Sequence, residues 1–159
     1  MNFPAVLICM IVGVSDGNTV VAKCNKMNPQ HIKVRLNAID APENRQPFGN
    51  RSKQALSDLV YMKEAVFRCN RKDQYNRYVC SVWVAPASKP NGERTLDAGL
   101  AMVTQGMAWW YRHYSVEQTP QERGQYEFAE YEAKAKKVGL WSDPHAIPPW
   151  EWRQQKKRK

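Results

Sequence analysis

No stretch of this chain is apolar for long enough to cross a bilayer. The longest run, Pro4 to Val14, falls well short of the roughly 20 residues a spanning helix takes. It also lacks the Lys or Arg that precedes a signal-peptide core, and no small-residue cleavage pattern follows it. An export signal removed from further upstream would leave no trace here. Close cysteine pairs of the C-x-x-C kind are missing, which excludes a zinc knuckle or a thioredoxin-like redox motif. The three histidines, His31, His113 and His145, are scattered and make no metal cluster. There is no internal repeat, no low-complexity stretch and no linker before the last segment. Acidic residues are scarce: 15 Asp and Glu stand against 24 Lys and Arg, a net charge of +9. That surplus favours a polyanionic partner, whether nucleic acid, acidic lipid or glycan.

What is present is a core. Hydrophobic residues make up 43% of 159 positions, enough for one folded domain and too many for a disordered chain. Residues 5–14, 18–24 and 31–38 are rich in Val, Ile and Leu with turns between them, and read as a three-stranded meander. Ala55, Leu56, Leu59 and Val60 recur at helical spacing within 49–62. Residues 64–70 and 77–85 read as a second hairpin around Asp73-Gln74-Tyr75-Asn76, where Asn76 accepts a left-handed backbone. A second helix is expected over 95–105. A third starts at the capping box Thr119-Pro120-Gln121-Glu122 and stops near Gly139. Beyond residue 143, Pro144, Pro148 and Pro149 predict an extended segment ending in the basic tail Lys156 to Lys159. Trp109, Trp110 and Trp141 read as core residues, and Trp150 and Trp152 as ties between the tail and the body. The element order fits an α+β fold: a five-stranded, partly closed β-barrel with three packed helices over residues 1–143. Cys9 and Cys24 lie equally far from the turn at Asp16-Gly17, and Cys69 and Cys80 about equally far from the turn at Gln74-Tyr75. Residues so placed sit opposite each other in a hairpin, within disulfide reach. Two disulfides in an exported protein are therefore expected, with four buried thiols in a cytoplasmic one as the alternative.

Three segments concentrate unusual polar residues: Asp16-Gly17-Asn18-Thr19, Val34 to Glu43, and Asp73 to Arg77. Arg35 alternates with Val34 and Leu36 and so points to the opposite face. Asp40 and Glu43 bracket Ala41-Pro42, where proline ends a paired strand and turns the chain at the barrel rim. SDGNT, VRLNAIDAPE, QPFG, DQYNR, GMAWWYRHY and EAKAKKVGLWSD, in this order, resemble the staphylococcal nuclease family from about residue 9 to 143. The resemblance implies an oligonucleotide-binding (OB) type barrel and calcium-assisted hydrolysis of phosphodiester bonds in DNA and RNA. It implies single strands as preferred substrates, 3′-phosphate products, no membrane and no obligate protein partner. By position it makes Arg35, Glu43 and Arg77 catalytic. It makes Asn18, Asp40 and the backbone carbonyl of Ala41 ligands of Ca²⁺, with Asp16 as a further oxygen donor, and it lines the nucleotide pocket with Tyr75 and Tyr114.

The residue types suit that chemistry. Arginine stays charged at any working pH and presents a planar fork to phosphoryl oxygens. A carboxylate can orient and deprotonate water. Calcium takes hard oxygen ligands. Three departures from the family stand out. Asn18 occupies an aspartate position, removing one negative charge from the metal ligands and predicting weaker calcium binding. The stretch from Glu43 to Gly49 is shorter than in the staphylococcal enzyme, and Asn76 replaces a glycine. A secreted or periplasmic calcium-dependent nuclease, a non-catalytic nucleic-acid-binding module of the same fold and a glycan-binding barrel all remain open at this stage.

Overall fold

The architecture follows from two hairpins that share a barrel. The structure, a computed structural model, describes residues 1–158, so Lys159 of the expected basic tail lies outside the described residues. The elements run β1 (Ala5–Asp16), β2 (Thr19–Lys23), β3 (His31–Leu36), β4 (Ile39–Asp40), α1 (Gly49–Val60), β5 (Glu64–Lys72), β6 (Tyr78–Val84) and β7 (Leu96–Asp97). They continue with α2 (Ala98–Thr104), β8 (Trp109–Trp110), α3 (Pro120–Lys136) and α4 (Pro149–Lys157). The sheet order is β3-β2-β1-β5-β6-β7, and a parallel β3–β6 pairing closes β1, β2, β3, β5 and β6 into a barrel. Alternate side chains fill it: Ile11, Val20, Val34, Leu36, Phe67 and Val82 are almost wholly buried. Leu56 and Val60 of α1, with Met102 and Val103 of α2, join the same cluster.

Both expected disulfides are present, Cys9–Cys24 and Cys69–Cys80. The second joins directly opposed residues of β5 and β6. Asn76 takes the left-handed backbone at φ 62°. Thr119 and Glu122 form the reciprocal capping box of α3. That helix stops at Lys136, slightly before the expected Gly139, because Lys137 already turns left-handed at φ 55°.

The predicted extended path of residues 144–159 is corrected in its second half. Pro149–Lys157 is a fourth helix with proline at its first turn. A proline lacks the N–H that a first helical position leaves unbonded, and its fixed φ is already helical. Pro148-Pro149 therefore starts a helix instead of prolonging an extended chain. The short ladder of β4 with β8 was also not expected; it pairs Asp40 with Trp109 and Ile39 with Trp110.

Candidate active site

Close backbone packing sets the acidic side of the site. A Cβ on Gly17 would lie 1.9 Å from Ser52 Oγ and 2.7 Å from Ala41 Cβ, so only glycine lets the β1–β2 turn approach α1 and the segment after β4. The turn carries Asp16 and Asn18. Asp16 Oδ1 accepts the Asn18 backbone N–H at 2.9 Å. Burial raises the Asp16 carboxyl above its ordinary value, against the opposing pull of the Asn18 N–H and the Thr19 hydroxyl. Asn18 is buried, and its side-chain amide donates to Asp40 Oδ1 at 3.3 Å.

Asp40, 1% exposed, is fixed by the β4–β8 ladder. Glu43 follows on the connection to α1. A Cβ on Gly49 would come within 2.0 Å of the Glu43 carbonyl oxygen, so glycine permits this tight return. Gln46 Oε1 accepts the Glu43 backbone N–H at 3.1 Å, and Gln46 Nε2 donates to the Ile147 carbonyl. The loop bearing Glu43 is thereby tied to the chain leading into α4.

The cationic side comes from the barrel seam and the β5–β6 turn. Arg35 lies on β3 between its neighbours Thr19 of β2 and Val79 of β6. It is 7% exposed, donates to the Leu36 carbonyl at 2.8 Å and stands 3.9 Å from Asp40 Oδ1. Burial lowers its pKa, with Asp40 pulling the other way, and a guanidinium so placed stays charged. Arg77 is held by Asp73, whose Oδ2 accepts from Nε at 2.7 Å while its Oδ1 caps the turn through the Tyr75 and Arg77 N–H groups. Burial opposes ionisation of Asp73, but these bonds outweigh it and hold the carboxyl below its ordinary value. The Arg77 guanidinium lies 5.3 Å from the centre of the Tyr75 ring, and that of Arg35 5.3 Å from the centre of Tyr114.

Every residue singled out for catalysis, metal or nucleotide contact borders one pocket of about 420 Å³. Two further residues line it that the sequence reading missed, Tyr111 and Arg153. Arg153 reaches in from α4, with Nη1 2.8 Å from Glu43 Oε1 and Nη2 2.8 Å from Asp40 Oδ2. Partial burial works against its charge, but the bonds to Asp40 and Glu43 raise its pKa above the ordinary arginine value. The available signal was Trp150, which sits three residues earlier on the same helical face. Its ring lies 6.2 Å from Trp109 and 5.4 Å from Tyr111, anchoring the helix beside the pocket.

The donors around Asp16, Asn18, Asp40 and the Ala41 carbonyl are all oxygens, a set that fits a hard cation such as Ca²⁺ and not a thiolate- or imidazole-seeking metal. Only two of them are carboxylates, and Arg153 neutralises part of one. No three His, Cys, Asp or Glu side chains stand close enough together to hold a metal ion by themselves among the described residues. The fit therefore lies in donor chemistry and not in charge.

Residues 33–143 match the family described as staphylococcal nuclease homologue. The chain is 42% identical to Protein ParB of Escherichia coli over 91% of its own length and 78% of that protein. It is 40% identical to a micrococcal nuclease of Shigella flexneri over 92% and 80%. It is 42% identical to an uncharacterized endonuclease of Haemophilus influenzae over 94% and 74%.

Proposed function

The chain belongs to the staphylococcal nuclease family and is an endonuclease of that hydrolase type, and we propose that it cuts DNA and RNA with calcium, leaving 3′-phosphate ends. The observation that carries this reading is the convergence of Arg35, Arg77, Asp40 and Glu43, remote in sequence, on one pocket.

In this mechanism the scissile phosphate lies between the Arg35 and Arg77 guanidinium groups. They neutralise the charge that builds on the phosphoryl oxygens as water attacks. Glu43 Oε1 is engaged by Arg153, which leaves Oε2 to take the proton from the attacking water. The bond from phosphorus to the 5′ oxygen breaks, and the 5′ oxygen leaves with a proton from solvent. Asp16, Asn18, Asp40 and the Ala41 carbonyl would hold the cation, which supplies Lewis-acid stabilisation of the phosphoryl charge when bound. Tyr75 and Tyr114, both beside arginines, offer surfaces for a base or a hydroxyl for a phosphate. Bases must be unstacked to reach such rings, which favours single strands. Two disulfides suit an oxidising compartment, which supports a secreted or periplasmic place of work.

The test is digestion of single-stranded DNA under chelator control, beside Glu43→Gln. Chelation should abolish cutting and calcium restore it. Glu43→Gln should slow cutting by roughly 10²–10⁴. An unchanged rate in that variant would remove the assigned base. Asn18, which lowers the charge of the donor set, favours a second reading as a binding module; retention of DNA without any cutting would establish it.

A further inference from the structure

A second groove adjoins the catalytic pocket. It has a volume of about 360 Å³ and runs between the Glu43 loop and α4. Glu43 and Arg153 form the wall it shares with the pocket, and its other sides carry Arg45, Trp152, Lys156 and Lys157. We propose that this groove binds the polynucleotide strand as it leaves the catalytic pocket, taking the phosphate next to the scissile one and its base. The proposal rests on the nuclease reading above.

Charge is the first argument. The arginines of the catalytic pocket are all partnered: Arg35 with Asp40, Arg77 with Asp73, and Arg153 with Asp40 and Glu43. Arg45, Lys156 and Lys157 enter none of the ion pairs among the described residues. The one carboxylate bordering the groove, Glu43, already has its counter-charge. The groove therefore holds positive charge without an internal partner, the condition under which an anion is attracted.

The second argument is the tryptophan. Trp150 is consumed in anchoring α4 to Trp109 and Tyr111. Trp152 makes no aromatic pair among the described residues, and the Lys156 ammonium lies 5.2 Å from the centre of its ring. It is half-buried and lines the groove. An aromatic plane among unpaired cations is how proteins hold single strands: the cations follow the backbone and the ring stacks a base regardless of its identity. Continuity is the third argument. A strand with a phosphate between Arg35 and Arg77 needs an exit, and this groove opens directly across the Glu43–Arg153 pair.

Two measurements test the proposal on wild type, Arg45→Ala/Lys157→Ala and Trp152→Ala. The first is kcat/KM on thymidine oligomers from the dinucleotide, which has one phosphate, to the pentanucleotide. Wild type should gain at least about tenfold on lengthening, the size expected of one stacked base. Both variants should lose most of that gain and keep the dinucleotide rate within about twofold. The second is binding of a single-stranded oligomer to the full protein in chelator, where no cutting occurs. For the double variant, the slope of log affinity against log salt should fall by about 0.7, the value for one phosphate of a single strand no longer neutralised. An unaltered length dependence with an unaltered salt slope overturns the groove. So does an equal loss on all lengths. Wild type that cuts no oligomer sinks the nuclease reading, and the salt slope then decides the groove alone.

Discussion

The guanidinium of Arg153 bridges two carboxylates of the pocket, with 2.8 Å to Glu43 and 2.8 Å to Asp40. It is the only side chain bonded to the Glu43 carboxylate among the described residues. It takes the Asp40 oxygen turned away from Asn18, since Oδ1 accepts from the Asn18 amide and Oδ2 from Arg153. Through Arg153, α4 thus holds both carboxylates and lowers the net negative charge of the pocket.

Arg153→Ala separates these two effects. Removing a positive charge in contact with Asp40 should strengthen calcium binding several-fold, moderated because the arginine is partly exposed. Freeing Glu43 should lower kcat by about 10- to 100-fold, as losing a group that orients a reacting residue does. Calorimetric calcium titration and saturation kinetics read the two independently. Unchanged calcium binding together with an unchanged kcat would show that the arginine acts on neither residue.

Asn18→Asp should act in opposite directions with and without metal. Without calcium it replaces an amide that donates to Asp40 by a carboxylate that repels it, beside a half-buried Asp16. The melting temperature should fall. With calcium, a third charged oxygen donor should tighten binding by about tenfold or more. Thermal unfolding with chelator and then with excess calcium measures both. A calcium-induced rise in melting temperature no larger than that of wild type would contradict the assigned donor set.

Much of this was legible in the sequence because it is written in local chemistry. The alternation of Arg35 with Val34 and Leu36, the left-handed Asn76, the Thr119 capping box and the symmetric cysteines each depend on a few neighbouring residues. Arg35, Glu43 and Arg77 were findable because each sits in a short, distinctive segment. Arg153 was not. It lies amid a basic tail whose composition resembles a solvated end, 110 residues from Glu43. Its role exists only because Pro149 begins a helix and Trp150 docks that helix on Trp109 and Tyr111. The β4–β8 ladder escaped for the same reason, since strands of two residues carry no periodicity and the pairing is set by distant segments.

The disulfides should matter for stability and not for chemistry. They close separations of 15 and 11 residues, and neither disulfide borders the arginine- and carboxylate-lined pocket. Replacing either pair by alanine should cost roughly 3 kcal/mol through the larger freedom of the unfolded chain. Initial cutting rates at 25 °C should stay within about twofold while the barrel remains folded. Urea unfolding and a digestion assay on the same samples check this. A loss of cutting far below the denaturation midpoint would tie a disulfide to the site itself.

Asp97 gives a pH dependence with a definite sign. It caps α2 through Oδ1, which accepts the Gly99 and Leu100 N–H groups, and its Oδ2 accepts the Tyr126 hydroxyl at 2.7 Å. Burial raises its pKa above the ordinary 3.8, against the bonds from Tyr126 and the two backbone groups. Between 3.8 and that raised value the folded protein keeps a proton that the unfolded chain has released. Ionisation therefore costs the folded state stability as pH rises through this window, and the contribution is most favourable below it. Asparagine caps a helix comparably and carries no titrating charge. The stability of wild type minus that of Asp97→Asn should be largest below pH 3.8 and shrink toward neutrality. Urea unfolding of both proteins across this range measures the difference directly. A difference that grew with pH would mean that the Tyr126 and backbone bonds outweigh burial and hold the carboxylate ionised.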